Sequence, residues 1–121
     1  MALNEKFAHT RAASLVCTDP VLPVSGDPVV AGQIPGVAER AEYTTGPLAG
    51  QTTVALDGAY ALSVKGIDGV GNSAVAVGDI VYYVAADTPK LSKKATGVRF
   101  GYAREIVTTG ATATILVQIG Y

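Results

Sequence analysis

Thr112-Ala113-Thr114-Ile115-Leu116-Val117-Gln118-Ile119 alternates without a break, and that alternation decides the fold class. A period of two places Ala113, Ile115, Val117 and Ile119 on one face of a strand and Thr112, Thr114, Leu116 and Gln118 on the other. The first set is the one expected to face a core. Upstream, Val98 to Val107 reads the same way, with Phe100, Tyr102, Arg104 and Ile106 opposed to Arg99, Gly101, Ala103 and Glu105. Asp79 to Ala85 carries apolar or amphipathic residues on both faces, which predicts a strand buried on both sides. Thr52 to Val64 reads as a long strand region interrupted at Asp57-Gly58 by a bulge or a tight turn. Pro28 to Ala31 and Ile34 to Ala41 form a hairpin-like pair around Gly32, and Ala13 to Thr18 is a first short strand.

Turn signals separate these runs at short intervals: Ser25-Gly26-Asp27-Pro28, Pro35-Gly36, Gly46-Pro47, Asp68-Gly69, Gly78-Asp79, Thr88-Pro89 and Thr109-Gly110. Fourteen Gly and six Pro among 121 residues disfavour long helices. Short strands between such turns predict an all-β, small single-domain β-barrel or sandwich over residues 13–121, preceded by a flexible N-terminal arm over residues 1–12. Gly69 to Val77 is left as a short helix or an irregular segment. A weak internal echo links Gly26-Asp27-Pro28-Val29-Val30, followed by Pro35-Gly36-Val37-Ala38-Glu39, to Gly78-Asp79-Ile80-Val81-Tyr82, followed by Gly101-Tyr102-Ala103-Arg104-Glu105. Two related β-units or convergent turn chemistry would each produce it.

Composition narrows the function classes. Hydrophobic residues make up 49% and charged residues only 16%. An ordinary soluble domain carries about 25% charged residues, so part of this surface is expected to be covered by a partner. Net charge is −1 from nine basic and ten acidic residues, with no broad basic stripe of the kind nucleic acid requires. Lys90, Lys93 and Lys94 cluster, and a solvated turn is a better reading of them than a phosphate site. No run reaches the length of a membrane span. The N-terminus lacks the apolar core of a signal peptide, which predicts synthesis in a cytoplasm.

Chemistry-bearing residues are sparse. The single Cys17 permits no internal disulfide and reads as a small, half-buried side chain. A Cys17–His9 dyad is conceivable from residue types, but His9 falls in the arm, where a rigid base is not expected. Asp68-Gly69-Val70-Gly71-Asn72 lacks the acidic spacing and terminal Glu of a calcium loop. Gly66, Gly69 and Gly71 lack the Lys-Ser/Thr ending of a phosphate loop. Asp27 and Asp79 are the candidate carboxylate pair for glycoside chemistry, yet both follow Gly at turn starts, where Asp bonds its own backbone. The expectation is therefore no enzyme, no catalytic residue, no metal ligand and no cofactor. Trp is absent, and Tyr43, Tyr60, Tyr82, Tyr83, Tyr102 and Tyr121 fall mostly in strands, which weighs against a glycan-binding surface.

The order VSGDPVVAG, IPGVAERA, TTVALDGAYALSV, VGDIVYYVAAD, VRFGYARE and ATATILVQIGY resembles the capsid cement, or head decoration, proteins of tailed bacteriophages, a family long filed as a domain of unknown function. The resemblance spans roughly residues 13 to 121. It departs from the family at Gly66 to Val77, where glycines replace a more compact connection, and in the N-terminal residues. It implies a compact β-barrel or sandwich, commonly trimeric, on the capsid exterior, where it bridges neighbouring subunits of the major capsid protein. The residues themselves leave open another non-enzymatic virion module: a head-fibre base, a tail component or a carbohydrate-binding domain.

Overall fold

The computed structural model describes residues 12–120, and within them the protein is a small all-β domain with no helix. Residues 1–11 of the expected arm, and Tyr121, lie outside the described residues; Ala12, placed in the arm by the sequence reading, is the first residue of a strand. Nine strands follow in order: β1 Ala12–Leu15, β2 Pro28–Ala31, β3 Ile34–Ala38, β4 Thr52–Ala55, β5 Gly58–Lys65, β6 Ile80–Tyr83, β7 Leu91–Ser92, β8 Val98–Ala103 and β9 Thr112–Ile119. They form a four-stranded sheet in the order β1-β4-β3-β2 and a closed barrel in the order β5-β7-β6-β8-β9.

The β5–β9 ladder is the backbone of the barrel, with eight consecutive antiparallel partners from Gly58↔Ile119 to Lys65↔Thr112. Ile115, Val117 and Ile119 are buried there, as the alternation of β9 dictates. They pack with Leu62, Val64, Val81, Tyr83, Leu91, Phe100 and Ala103 in one apolar cluster. Tyr83 and Phe100 stack with ring centroids 6.2 Å apart.

Three expectations change. The Thr52–Val64 region is not one strand region: the interruption expected at Asp57-Gly58 is a turn that leads out of one sheet and into the other, not a bulge within a strand. Gly58, at φ 104°, redirects the chain so that β4 ends in the sheet and β5 begins in the barrel. In Val98–Val107 the alternation inverts midway, because Val81 pairs with Gly101 but Tyr82 pairs with Arg99, leaving Phe100 as an extra residue. A bulge of this kind shifts the side-chain phase by one, so Phe100 and Ala103 both point inward. The strand ends at Ala103. Finally, β6 buries Val81 and Tyr83 but leaves Ile80 and Tyr82 half-buried. The strands with successive buried residues on opposite faces are β2 and β3, where Val30 and Val37 join the barrel cluster while Val29 and Ala38 join a second cluster with Val54.

The β2–β3 hairpin is the pair read around Gly32. Ala31 pairs with Ile34 across Gly32-Gln33, and only Gly32, at φ 62°, takes the positive dihedral. That is the glycine-first, two-residue turn whose twist matches the flanking strands. Gly69 to Val77 contains no helix. It is an irregular segment fastened by the bridges Ile67↔Asn72 and Val75↔Val107.

Candidate functional surface

The connection from β1 to β2 carries an unusual load of exposed aliphatic side chains. Val16, Val21, Leu22 and Val24 are 67%, 75%, 72% and 56% exposed. A connection of this length normally turns polar side chains to water, so four large aliphatic groups within nine residues define a candidate contact surface. The segment is also firmly held. Thr18 N–H donates to Val30 O at 2.8 Å, and Val30 N–H returns a bond to Asp19 O at 3.0 Å. The Thr18 hydroxyl accepts from Gly32 N–H at 2.8 Å, and Pro23 is buried beneath the exposed residues.

Asp19, in the middle of this segment, is tied to the barrel. Its Oδ2 accepts from the Tyr83 hydroxyl and from Lys90 Nζ, the latter at 2.5 Å. Partial burial acts to raise the Asp19 carboxyl, but the bonds from Lys90 and Tyr83 outweigh it and hold the group below the usual carboxylate range. Burial, followed by the bond to Asp19, pushes the Tyr83 phenol far above its ordinary value. An ionised acceptor and a neutral donor are thus both fixed in the states the bond needs. The peptide bonds Asp19-Pro20 and Thr88-Pro89 are cis, and Pro20 and Pro89 both line a cleft of about 260 Å³ together with Asp27, Pro28, Ser63 and Lys90. Asp19 itself lines a second cleft, of about 310 Å³, with Tyr83 and Val30 among its other lining residues.

The lysine trio is not the solvated turn that the sequence reading favoured. Lys90, Lys93 and Lys94 flank the buried two-residue strand β7, and each reaches a carboxylate: Asp19 at 2.5 Å, Asp79 at 3.4 Å and Asp87 at 2.9 Å. Lys93 also donates to Ser73 Oγ at 3.1 Å and Ala74 O at 2.9 Å. These ammonium groups are engaged within the chain, so they form no open cradle for phosphate.

The other candidates resolve into local structure. Asp27 Oδ2 accepts from Val24 N–H at 3.0 Å, and Asp79 Oδ2 accepts from Ala76 N–H at 2.8 Å, so both close their own turns. In the glycine-rich loop, Asp68 Oδ1 accepts from Val70 and Gly71 N–H at 2.8 and 3.0 Å. Those bonds, Gly71's first, hold the Asp68 carboxyl low and use amides that an anion site would offer. Burial pushes the Cys17 thiol up, the Thr52 hydroxyl acts against that rise and the Glu42 charge adds to it. His9 lies outside the described residues. Among the described residues no three His, Cys, Asp or Glu side chains gather as a metal site, and no helix is long and apolar enough to cross a membrane.

What sequence reading missed is the surface itself. The signal was present in Val16, Val21, Leu22 and Val24, which are aliphatic residues in a stretch whose Asp, Pro, Ser and Gly mark it as connection. Comparison with protein families, with curated proteins and with solved structures finds no match.

Proposed function

We propose that this chain is a structural virion protein, a capsid cement protein that binds the exterior of a tailed-phage head and bridges neighbouring major capsid protein subunits as a homo-trimer. The observation that carries the reading is the aliphatic surface of residues 16–24, presented on a segment anchored at Thr18, Asp19 and Pro23. A protein that stabilises a shell needs a pre-ordered adhesive surface and no reacting centre, since order established before binding lowers the entropic cost of contact. Contacts that are modest singly become strong when a symmetric oligomer engages several subunits at once. The low charge content and the order of sequence motifs support the same assignment.

Purified protein mixed with undecorated heads and sedimented tests the proposal. Stoichiometric co-sedimentation is expected. Absence of the protein from the pellet at micromolar concentration would reject the assignment in favour of another non-enzymatic virion module.

A further inference from the structure

The echo between the Gly26 and Gly78 regions extends well beyond the turns. Val24–Asp27 and Ala76–Asp79 are one and the same turn, with the third-position glycine at φ 90° and 92°. Each Asp N–H donates to the carbonyl three residues earlier at 3.1 Å, and each Asp Oδ2 accepts that residue's N–H. Gly26 N–H donates to Ala38 O at 2.8 Å, and Gly78 N–H to Ala103 O at 2.7 Å. Ala38 and Ala103 return bonds to Asp27 O and Asp79 O, both at 2.9 Å.

The match continues into strands far away in the chain. Val37 pairs with Ala55 as Tyr102 pairs with Gln118. A Cβ on Gly36 would lie 2.6 Å from Ala55 O, and one on Gly101 would lie 2.2 Å from Gln118 O. The outer strands agree as well: Ala12↔Ala55 through Leu15↔Thr52 corresponds to Ala59↔Gln118 through Leu62↔Ile115. The order β1-β4-β3-β2 is therefore repeated as β5-β9-β8-β6. Shared turn chemistry alone dictates neither the strand order nor which carbonyl crowds which glycine.

We infer that the chain is an internal duplication of one four-stranded unit, residues 12–55 and 58–119, and that residues 84–97, which carry β7, are an insertion in the second copy. In the first copy Val30 pairs directly with Asp19. In the second, the equivalent Tyr82 pairs with Ser92 of the inserted strap. The strap then serves both copies, because its lysines reach the two equivalent connections. Lys90 holds the 16–23 connection at Asp19, and Lys93 holds the 66–75 connection at Ser73 and Ala74.

A circular permutant of the full chain tests this: residues 58–121 followed by residues 1–57. The cut falls at the boundary between copies, and Gly120 lies against Asp57 while Ala12 pairs with Ala55, so residues 1–11 suffice as the joining segment. The permutant is expected to keep the β-sheet circular dichroism and a urea midpoint close to that of the original chain. Alongside it, Gly26→Ala and Gly78→Ala, both in open space at the same φ, are expected to lower the midpoint by equal amounts. An unfolded permutant would overturn the duplication, and so would one of the two alanines being neutral while the other destabilises.

Discussion

Tyr83 donates its phenolic hydrogen to the carboxylate of Asp19, 64 positions earlier in the chain. The bond joins the innermost aromatic side of the barrel to the segment that carries the exposed aliphatic surface, and Lys90 completes it from the strap. Order in the contact surface is thus supplied by the barrel as well as by the segment's bonds to the β2–β3 hairpin.

Replacing Asp19 by Ala leaves a buried phenol without its acceptor, a loss of about 1–3 kcal/mol. Tyr83→Phe removes the donor as well and is expected to cost less. Urea denaturation of the two single variants and the double variant checks both, with a coupling energy between positions 19 and 83 as the expected outcome.

Acid acts through the same carboxylate. The folded Asp19 titrates below its unfolded value, so its contribution is complete above the unfolded value of about 4 and is lost as pH falls through the folded one. Stability of the wild type is expected to decline more steeply below about pH 4 than that of Asp19→Asn. Denaturation midpoints measured between neutral pH and strong acid would reveal the difference.

Leu91 is fully buried in a strand two residues long that separates β5 from β6. Leu91→Ala is expected to destabilise by about 2–5 kcal/mol. Chemical unfolding gives this number directly, and a change within the error of the wild type would refute the place of Leu91 in the barrel core.

Lys93→Met severs two polar contacts to the glycine-rich connection and one to Asp79 without disturbing the core. Hydrogen exchange is expected to quicken at Ser73 and Val75, while Thr18 and Val30 stay protected. Lys90→Met is expected to produce the reverse pattern.

Val21→Ser with Leu22→Ser alters two side chains that water already surrounds, so stability is expected to stay within about 0.5 kcal/mol of wild type. Occupancy on undecorated heads is expected to fall at least several-fold. Full occupancy by this variant would remove the 16–24 segment from the proposed contact.

The sequence made some of this structure legible and concealed the rest for identifiable reasons. β9 was readable residue by residue, because it pairs across its full length and carries no irregularity. The β2–β3 hairpin was readable from Gly32. The inward phase of β8 was not, since one extra residue at Phe100 reverses the alternation and only the partner strand reveals it. β7 was hidden because two residues between lysines carry no periodicity. The lysines look solvated in the sequence because their partners Asp19, Asp79 and Asp87 are chosen by tertiary folding, not by local spacing. For the contact surface, turn residues between Val16 and Val24 signalled a connection and masked its aliphatic content.

Consecutive valines in β2 look opposite ways: Val30 into the barrel cluster, Val29 into the small cluster with Ala38 and Val54. Three buried side chains are too few to hold a sheet together against the entropy of its chain, so the first copy borrows its cohesion from the second. Heat should accordingly release both in a single calorimetric peak, with the measured enthalpy equal to the van't Hoff value, even though the chain repeats its own architecture.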